Sequence, residues 1–401
     1  MTKMKESGID WIGQIPEEWE VTKLKYALLI NNGKDYKDIE VEEGGYPVIG
    51  SGGAFARSRN YMYDGDVVLL GRKGTIDKPL FYSGKFWTVD TMFYSTALNG
   101  NNIKFMYYSS LLIPFSYYST ATALPSMTQS DLNNHMLCLP SISEQQKIAD
   151  FLDKKTAQLD KVKALLGEQI QKLKDYRASL IYETVTKGLD KNVPMKDSGI
   201  DWIGQVPQGW EIGRVKDAFK LRSEKNFRPI KEVQLLSLYT EFGVFPHGDR
   251  EEKGNKAVST EGYKIVYKKD IVVNIILAWM GSIGISEYDG VTSPAYDIYE
   301  PLEGVCSKFF HYLFRTEAFA GQCYKYGKGI MKMRWRTYSD DFKTIEIPIP
   351  DYNSQVNIVK FLDSKLKIIN QLIDNKQTQI ENINKQRQTL IYDYVTGKRR
   401  V

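Results

Sequence analysis

The chain is written twice, and that repeat constrains its fold more than any other feature. Lys5 to Glu20 reads KESGIDWIGQIPEEWE and Lys196 to Glu211 reads KDSGIDWIGQVPQGWE, with 12 of 16 positions identical. A second echo closes each half. Leu139-Pro140 leads into Gln145, Ile148, Phe151-Leu152-Asp153, Arg177 and Leu180-Ile181-Tyr182. Ile349-Pro350 leads into Gln355, Ile358, Phe361-Leu362-Asp363, Arg387 and Leu390-Ile391-Tyr392. Lys5 to Lys196 is a step of 191 residues and Gln145 to Gln355 one of 210, so the second intervening region is 19 residues longer. The chain is two tandem cassettes, each an opening motif, a variable globular region and a terminal helix.

Leu152, Leu159, Leu166, Leu173 and Leu180 recur every seven residues, with Val162 and Tyr176 among the intervening d-type positions. The second copy, Leu362, Ile369, Lys376, Ile383 and Leu390, is a poorer seam broken by Lys376. Neither stretch contains proline, and each helix is predicted to reach roughly 60 Å at about 1.5 Å per residue. Neither can bury its stripe alone, so the two are expected to pack against each other as spacers. The second opening motif follows directly on the first helix, near Thr186 to Lys196. Pseudo-twofold symmetry then places the first opening motif near the end of the second helix, around Tyr394 to Arg400.

The variable regions, about 21–138 and 212–347, read differently. Tyr46 to Gly53 and Asp66 to Gly71 look like short strands punctuated by Gly turns, and Ile265–Tyr267 and Asp270–Val273 repeat that style. Each region is predicted to be α+β, with a largely antiparallel sheet and a few helices such as Ser307 to Ala320. The two regions barely match, whereas the opening motif and exit helix stay alike. Surfaces that dock two copies of one partner must remain the same, while surfaces that read two different half-sites are free to differ. That combination fits a reader of an asymmetric, bipartite DNA site.

Composition excludes more than it supports. A formal charge of +5 is only mildly basic. The 26 Tyr could stack on bases or bond phosphates, or simply pack. Cys138, Cys306 and Cys323 are too scattered for a disulfide framework, and Cys306, His311 and Cys323 lack a fourth ligand for zinc. No stretch of 18 apolar residues occurs, so a cytoplasmic protein with no membrane role is expected. There is no Asp/Asn-Pro-Pro-aromatic motif of an amino-methyltransferase, no S-adenosylmethionine glycine motif and no Walker A sequence. Pro350-Asp351 followed by Asp363-Ser364-Lys365 mimics a PD…(D/E)xK nuclease, but Asp363 falls in the leucine-spaced helix and Ser141 replaces Asp351 in the first cassette.

The alternation of variable domain and long helix resembles the specificity subunits of type I restriction–modification systems. So do the SGIDWIG…P..W opening and the lead-in at Leu139–Asp153. Gly71-Arg72-Lys73-Gly74-Thr75-Ile76 and Thr292-Ser293-Pro294-Ala295-Tyr296 are similar to motifs of that family's target recognition domains. The lead-in Glu144-Gln145 becomes Ser354-Gln355 in the second copy, a departure that could weaken a helix-start contact. The resemblance implies an α+β fold: two target recognition domains separated by two long antiparallel coiled-coil spacer helices, as a pseudo-twofold internal repeat. The divisions are 1–142 and 191–352 for the opening motifs with their recognition domains, and 143–190 and 353–401 for the helices. It also implies a non-catalytic subunit that binds double-stranded DNA, two methyltransferase subunits and two restriction/translocase subunits. S-adenosylmethionine, ATP and Mg belong to those partners, whose methyltransferase modifies adenine N6. The rival readings are a coiled-coil scaffold without DNA readout and the specificity part of a fused restriction enzyme.

Affinity for DNA comes from cations on phosphates, and sequence reading from bidentate side chains at base edges. No acid occurs between Glu317 and Asp340, a window holding Lys325, Lys328, Lys332, Arg334 and Arg336 among Tyr324, Tyr326, Trp335 and Tyr338. Trp335 joins the cations as a candidate contact. In the first region the candidates are Ser51, Arg57 and Arg59 on a Gly-flexed segment, then Arg72, Lys73 and Thr75. Ser126, Thr128 and Gln129 are polar candidates beside the domain exit. Trp279-Met280-Gly281-Ser282 is the expected counterpart of the Arg72 turn, with its charges lost. The first region has about as many acids as bases, so its binding face must arise by segregation of charge.

Overall fold

The computed structural model describes residues 3–118, 125–240, 243–248, 259–329 and 335–401. Lys332 and Arg334 lie outside them. The chain forms two compact units, Met1–Gly167 with Gln377–Val401, and Glu168–Lys376. The packing thus divides the chain differently from the sequence, which gave each helix to one segment. Each long helix contributes one half to each unit, because each half finds its apolar partners there.

In the first unit seven strands form one sheet: β1 (Leu28–Asn32), β2 (Glu40–Val41), β3 (Tyr46–Gly50), β4 (Gly53–Ser58), β5 (Tyr63–Gly71), β6 (Leu80–Thr88) and β7 (Met92–Ala97). Their order is β1-β7-β5-β6-β3-β4-β2. Every pairing is antiparallel except β3 with β6. Val67 to Leu70 is a continuous apolar run buried on both faces. Val68 and Leu70 face the main core, while Val67 and Leu69 face a second cluster with Phe86. Helix α1 (Ile103–Ser110) packs on the sheet, α2 (Gln129–Asn134) precedes the exit, and α3 (Ile142–Lys187) is the first long helix. Its 46 residues span about 69 Å.

The second unit repeats the four strands at one end of that sheet and adds two separate strand pairs, Leu236–Tyr239 with Gly243–Pro246 and Lys264–Val266 with Gly290–Thr292. Strands β8 (Phe219–Leu221), β9 (Ile271–Asn274), β10 (Ile283–Ile285) and β11 (Tyr296–Pro301) run in the order β8-β11-β9-β10, the same plan as β1-β7-β5-β6. The expected helix over Ser307 to Ala320 is two helices, α4 (Ser307–Phe314) and α5 (Glu317–Tyr326). Thr316 causes the break. Its hydroxyl accepts the Phe319 N–H at 3.2 Å and donates to the Leu313 carbonyl at 2.7 Å, so it caps a new helix instead of continuing the old one. Then come α6 (Ser339–Phe342) and the second long helix, α7 (Tyr352–Val395).

The two long helices run antiparallel within each unit. In the first, Asp160 faces Arg387 at 3.8 Å and Lys163 reaches Asn384 at 3.1 Å, so partner numbers fall as the first rises. In the second, Arg177 bonds Asn370 at 2.9 Å and Lys376 bonds Gln169 at 2.6 Å. The leucine row is as expected, but its companion row is not. Val162 and Tyr176 are 46% and 56% exposed, and the inner row instead contains Thr156, Ile170 and Thr184, all buried. One leucine per heptad does not say whether it sits at a or d. Here the second row lies four residues on, not three.

Two histidines sit neutral in the packing. His135, 4% exposed, has Nδ1 at 2.9 Å from the Tyr118 hydroxyl, and burial pulls it down to about 4. His311 accepts the Ile285 N–H on Nδ1 at 3.2 Å, and burial, then Arg315, pull it down to about 3. A histidine whose folded value is depressed binds fewer protons folded than unfolded. The stability it allows is present above about pH 6.5 and drains away as pH falls toward 4. For His135 the loss between pH 7 and 5 should be about 2 kcal/mol. Urea midpoints of wild type and His135→Gln at the two pH values will check it, and equal pH slopes would contradict it.

Candidate nucleic-acid interface

The two copies of the opening motif fold alike down to single bonds. The Ser7 hydroxyl accepts the Ile9 N–H at 3.1 Å, and Ser198 accepts that of Ile200 at 3.0 Å. Gly8 and Gly13, like Gly199 and Gly204, take positive φ near 70° that other residues rarely adopt. In the first unit the Tyr392 hydroxyl donates to the Trp11 carbonyl at 3.1 Å. In the second, Tyr182 donates to the Trp202 carbonyl at 2.7 Å. The first opening motif therefore does meet the end of the second helix, with Ile391 and Val395 in one core with Ile12, Ile15 and Trp19.

The lead-in glutamine and aspartate join helix to globular body. Gln145 accepts the Asn102 N–H at 2.9 Å and donates to the Pro140 carbonyl at 3.0 Å. Gln355 accepts the Cys306 N–H and donates to the Pro350 carbonyl, both at 2.8 Å. Asp153 takes the Tyr108 hydroxyl at 2.8 Å and pairs with Lys104; Asp363 takes Tyr312 at 2.5 Å and Lys308 at 2.7 Å. Burial, above all, holds both phenols well above their usual range, so they remain donors. The change of Glu144 to Ser354 is offset at the helix start. Glu144 binds the Trp19 indole at 3.2 Å and Arg400 at 2.7 Å, whereas in the second copy the acid has moved to the cap. There Asp351 accepts the Ser354 N–H at 3.0 Å and hydroxyl at 2.5 Å, bonds that lower its carboxyl. Asp351 and Asp363 are thus a helix cap and a paired residue twelve positions along, about 18 Å apart on the helix. One metal ion or one scissile phosphate cannot bridge them.

A cluster of loops beyond the shared strands differs between the units. In the first unit the chain turns sharply after β5, where a Cβ on Gly71 would collide with the Thr75 carbonyl. The Arg72 N–H bonds the Thr91 carbonyl at 2.8 Å and the Met127 N–H bonds the Arg72 carbonyl at 2.9 Å. Lys73 bridges Ser126, so Arg72–Thr75 and Ser126–Gln129 come together as one surface. Lys73 and Thr75 are exposed there. Thr128 caps α2 through Asp131, and Gln129 donates to the Ile30 carbonyl at 2.8 Å, so both have structural work. Lys34 is not among the sequence candidates. It is exposed, follows β1, and its N–H bonds the carbonyl of Thr88, the last residue of β6, at 2.9 Å. Its signal was a glycine-lysine step directly after a strand.

The three arginines of the first globular region share one arrangement. Arg72 donates to the Asp90 carbonyl at 3.3 Å, Arg59 to the Asp38 carbonyl at 3.1 Å, and Arg57 to the carbonyls of Gly44 and Gly45. Carbonyl acceptors order a guanidinium without cancelling its charge, and its remaining N–H groups stay available. Ser51 stands in the β3–β4 turn.

In the second unit the Ile275 N–H bonds the Ala295 carbonyl at 3.3 Å and the Thr337 N–H bonds the Ile275 carbonyl at 2.9 Å. Ile275, not Trp279–Ser282, therefore occupies the place of Arg72; 279–282 lies further along the same loop, because the ladders align Asn274 with Gly71. Lys328 and Arg336 pair through their backbones as a strand-like bridge, and Lys328 is also bonded to Asp341 at 2.8 Å. Trp335 stacks on Tyr324 with centroids 5.0 Å apart and donates to its carbonyl at 3.0 Å. Lys325 stands apart from this bridge, lining a small cavity with Gly199–Trp202 of the opening motif.

The sequence profile of the family described as the type I restriction modification DNA specificity domain matches residues 16–173 and 207–382. Both matches begin at the proline of the opening motif. The chain is 23% identical to the type I restriction enzyme MjaVIII specificity subunit of Methanocaldococcus jannaschii, over 97% of this chain and 94% of that one. It is 25% identical to the putative MjaX specificity subunit of the same organism, over 97% and 96%. A chain from a solved type I R-M system superposes with a TM-score of 0.69 at 13% identity, covering 95% and 98%. The HsdS subunit of Thermoanaerobacter tengcongensis gives 0.51 at 14%, covering 96% and 98%. At such identities the superpositions speak to fold.

Proposed function

Because the chain belongs to the type I restriction–modification DNA specificity family and is a specificity subunit, we propose that its two units each read one half of a bipartite DNA site. The observation that carries this is uneven divergence inside one chain. Opening motif, lead-in glutamine and aspartate keep their bonds in both units, while the loop clusters around Arg72 and Ile275 share a backbone plan and almost no side chains. On this reading the invariant parts dock two methyltransferase subunits, and two restriction/translocase subunits join that assembly. The chain itself is non-catalytic: methyl transfer to adenine N6 uses S-adenosylmethionine on one partner, and translocation uses ATP and Mg on the other. No helix among the described residues is long and apolar enough to cross a membrane. A cytoplasmic location, where the DNA is, suits this role.

The contacts we assign are Arg72, Lys73, Thr75 and Ser126, with Lys34, Ser51, Arg57 and Arg59 beside them, in one half. In the other they are Arg336 and Trp335, with Lys332 and Arg334. Thr128, Gln129 and Lys328 rank lower because their side chains are bonded elsewhere, and Lys325 because it stands apart from the Lys328–Arg336 bridge. Arg72→Ala with Lys73→Ala should weaken recognition of one half-site only, and Lys332, Arg334 and Arg336 to Ala the other. A lost base contact should cost about 1–3 kcal/mol, whereas a lost phosphate contact should lower the salt slope. The test is the methylome of cells expressing chain and methyltransferase: a two-part motif is expected, with each variant relaxing one part. Methyl transfer by the purified chain alone, or variants leaving motif and salt slope unchanged, would refute the assignment.

A further inference from the structure

The second unit holds a cleft of about 980 Å³ between the two long helices and the α4–α5 corner, a size suited to a small ligand. Lys174 and Arg177 from α3, Arg315 from the corner and Lys367 from α7 all line it. The internal repeat provides a control. Tyr108 and Tyr312 bind equivalent aspartates, which aligns Tyr107 with His311, Leu111 with Arg315 and Leu112 with Thr316. Likewise Ala157 aligns with Lys367, Asp160 with Asn370 and Asn384 with Lys174. In the first unit Tyr107, Leu111 and Leu112 pack against the core, and Arg387 faces Asp160. In the second unit leucine has become arginine, alanine and asparagine have become lysines, and the acid opposite the shared arginine has become a neutral amide, Asn370.

We propose that this cleft binds a free nucleoside polyphosphate, once per chain. The phosphates lie toward Lys174, Arg177 and Lys367, and the planar base lies against the apolar wall of Ile181 and Leu366. Three observations favour it. Arg177 is held at 2.9 Å by the neutral Asn370, which orients the guanidinium without cancelling it. Of the two acids in the lining, Asp363 is already bound to Lys308 and Tyr312, which leaves Glu317 as the other acid beside Lys174, Arg177 and Lys367. Burial and the nearby Arg177 charge both push the Arg315 guanidinium down, as expected where like charges crowd one cleft. Backbone phosphates of DNA are the other source of this chemistry. A surface that tracks the duplex should occur in both units, whereas this one is confined to the second.

The test is calorimetric titration of the full-length protein with ATP, inorganic triphosphate and adenosine. ATP should bind at one per chain, triphosphate should compete with it, and adenosine alone should bind at least tenfold more weakly. Asn370→Asp restores the acid of the first unit in an isosteric change and should weaken ATP about tenfold at an unchanged melting temperature. Lys367→Glu, on an exposed position, should do the same. Two sites per chain, no saturable binding, full affinity in both variants, or displacement of ATP by a short non-cognate duplex would each overturn the proposal.

Discussion

A fragment ending at Leu189 is expected to dimerise and, supplied with the methyltransferase, to methylate a palindrome of one half-site written twice. Such a fragment lacks Ile391, Tyr392 and Val395, which close the first unit. It carries the same side chains in the same order at Ile181, Tyr182 and Val185, where they close the second unit against an identical motif. A second copy of the fragment can therefore supply them, giving an isologous pair in which each helix completes the other's unit. The leucine row of α3 has no Lys376 to accommodate, so self-pairing is sterically permitted. The pairs of Arg400 with Glu18 and Glu144 have no substitute, so the dimer should be weaker than the intact molecule. Sedimentation gives the mass, and sequencing the modified adenines gives the site. Methylation of the original asymmetric site by the fragment would show that the units are misassigned.

The second large effect concerns a buried ion pair. Asp270, whose side chain is 2% exposed, binds Arg222 through Nε at 2.9 Å and Nη2 at 3.1 Å and accepts the Tyr267 N–H at 2.8 Å. Burial outweighs these bonds and raises the Asp270 carboxyl, so the pair is costly to form even though it is complete. Removing one partner is worse than never having had the pair, because a cation is left in place with its desolvation uncompensated. Glu300 at 3.0 Å retains part of the charge balance. Asp270→Ala should therefore cost about 3 kcal/mol, and a double replacement of Asp270 and Arg222 by apolar residues should cost less. The loss should fall on the second unit, where β8 and β9 are tied through this pair. Methylation of the cognate site should then fall while the first half-site is still read. A midpoint shift in urea below about 1 kcal/mol would show that Glu300 and Glu224 suffice.

The repeat made much of this architecture legible beforehand. Two offsets, 191 and 210, located both motifs, both helices and the meeting of the first opening motif with the end of the second helix. Local competition was harder to read. A helical pattern across Ser307 to Ala320 does not reveal that Thr316 will cap instead of propagate. A leucine every seven residues does not place Val162 and Tyr176 inside or outside. The loop equivalence of Ile275 with Arg72 lay hidden because it is set by a ladder between Asn274 and Tyr296, not by likeness of residues. Among the site candidates, charge and glycine pointed to Arg72 and Lys73. Nothing in sequence could say that Lys328 would be spent on Asp341 or that Lys325 would face the opening motif. Both outcomes depend on side chains supplied by other segments.

The sharing of each long helix between units has a consequence for biosynthesis. Residues 168–376 are continuous, so the second unit is whole as soon as they have left the ribosome. The first unit cannot close then. Its core waits for Ile391 and Val395, synthesised more than 200 residues after Gly167, a delay of roughly 10–50 s at typical elongation rates. Until that moment Ile12, Ile15 and Trp19 lack the part of their core that Ile391 and Val395 supply. The domain made first is thus the last to be completed, and a chain released early would carry a finished C-terminal reader behind an N-terminal one still exposing its apolar floor.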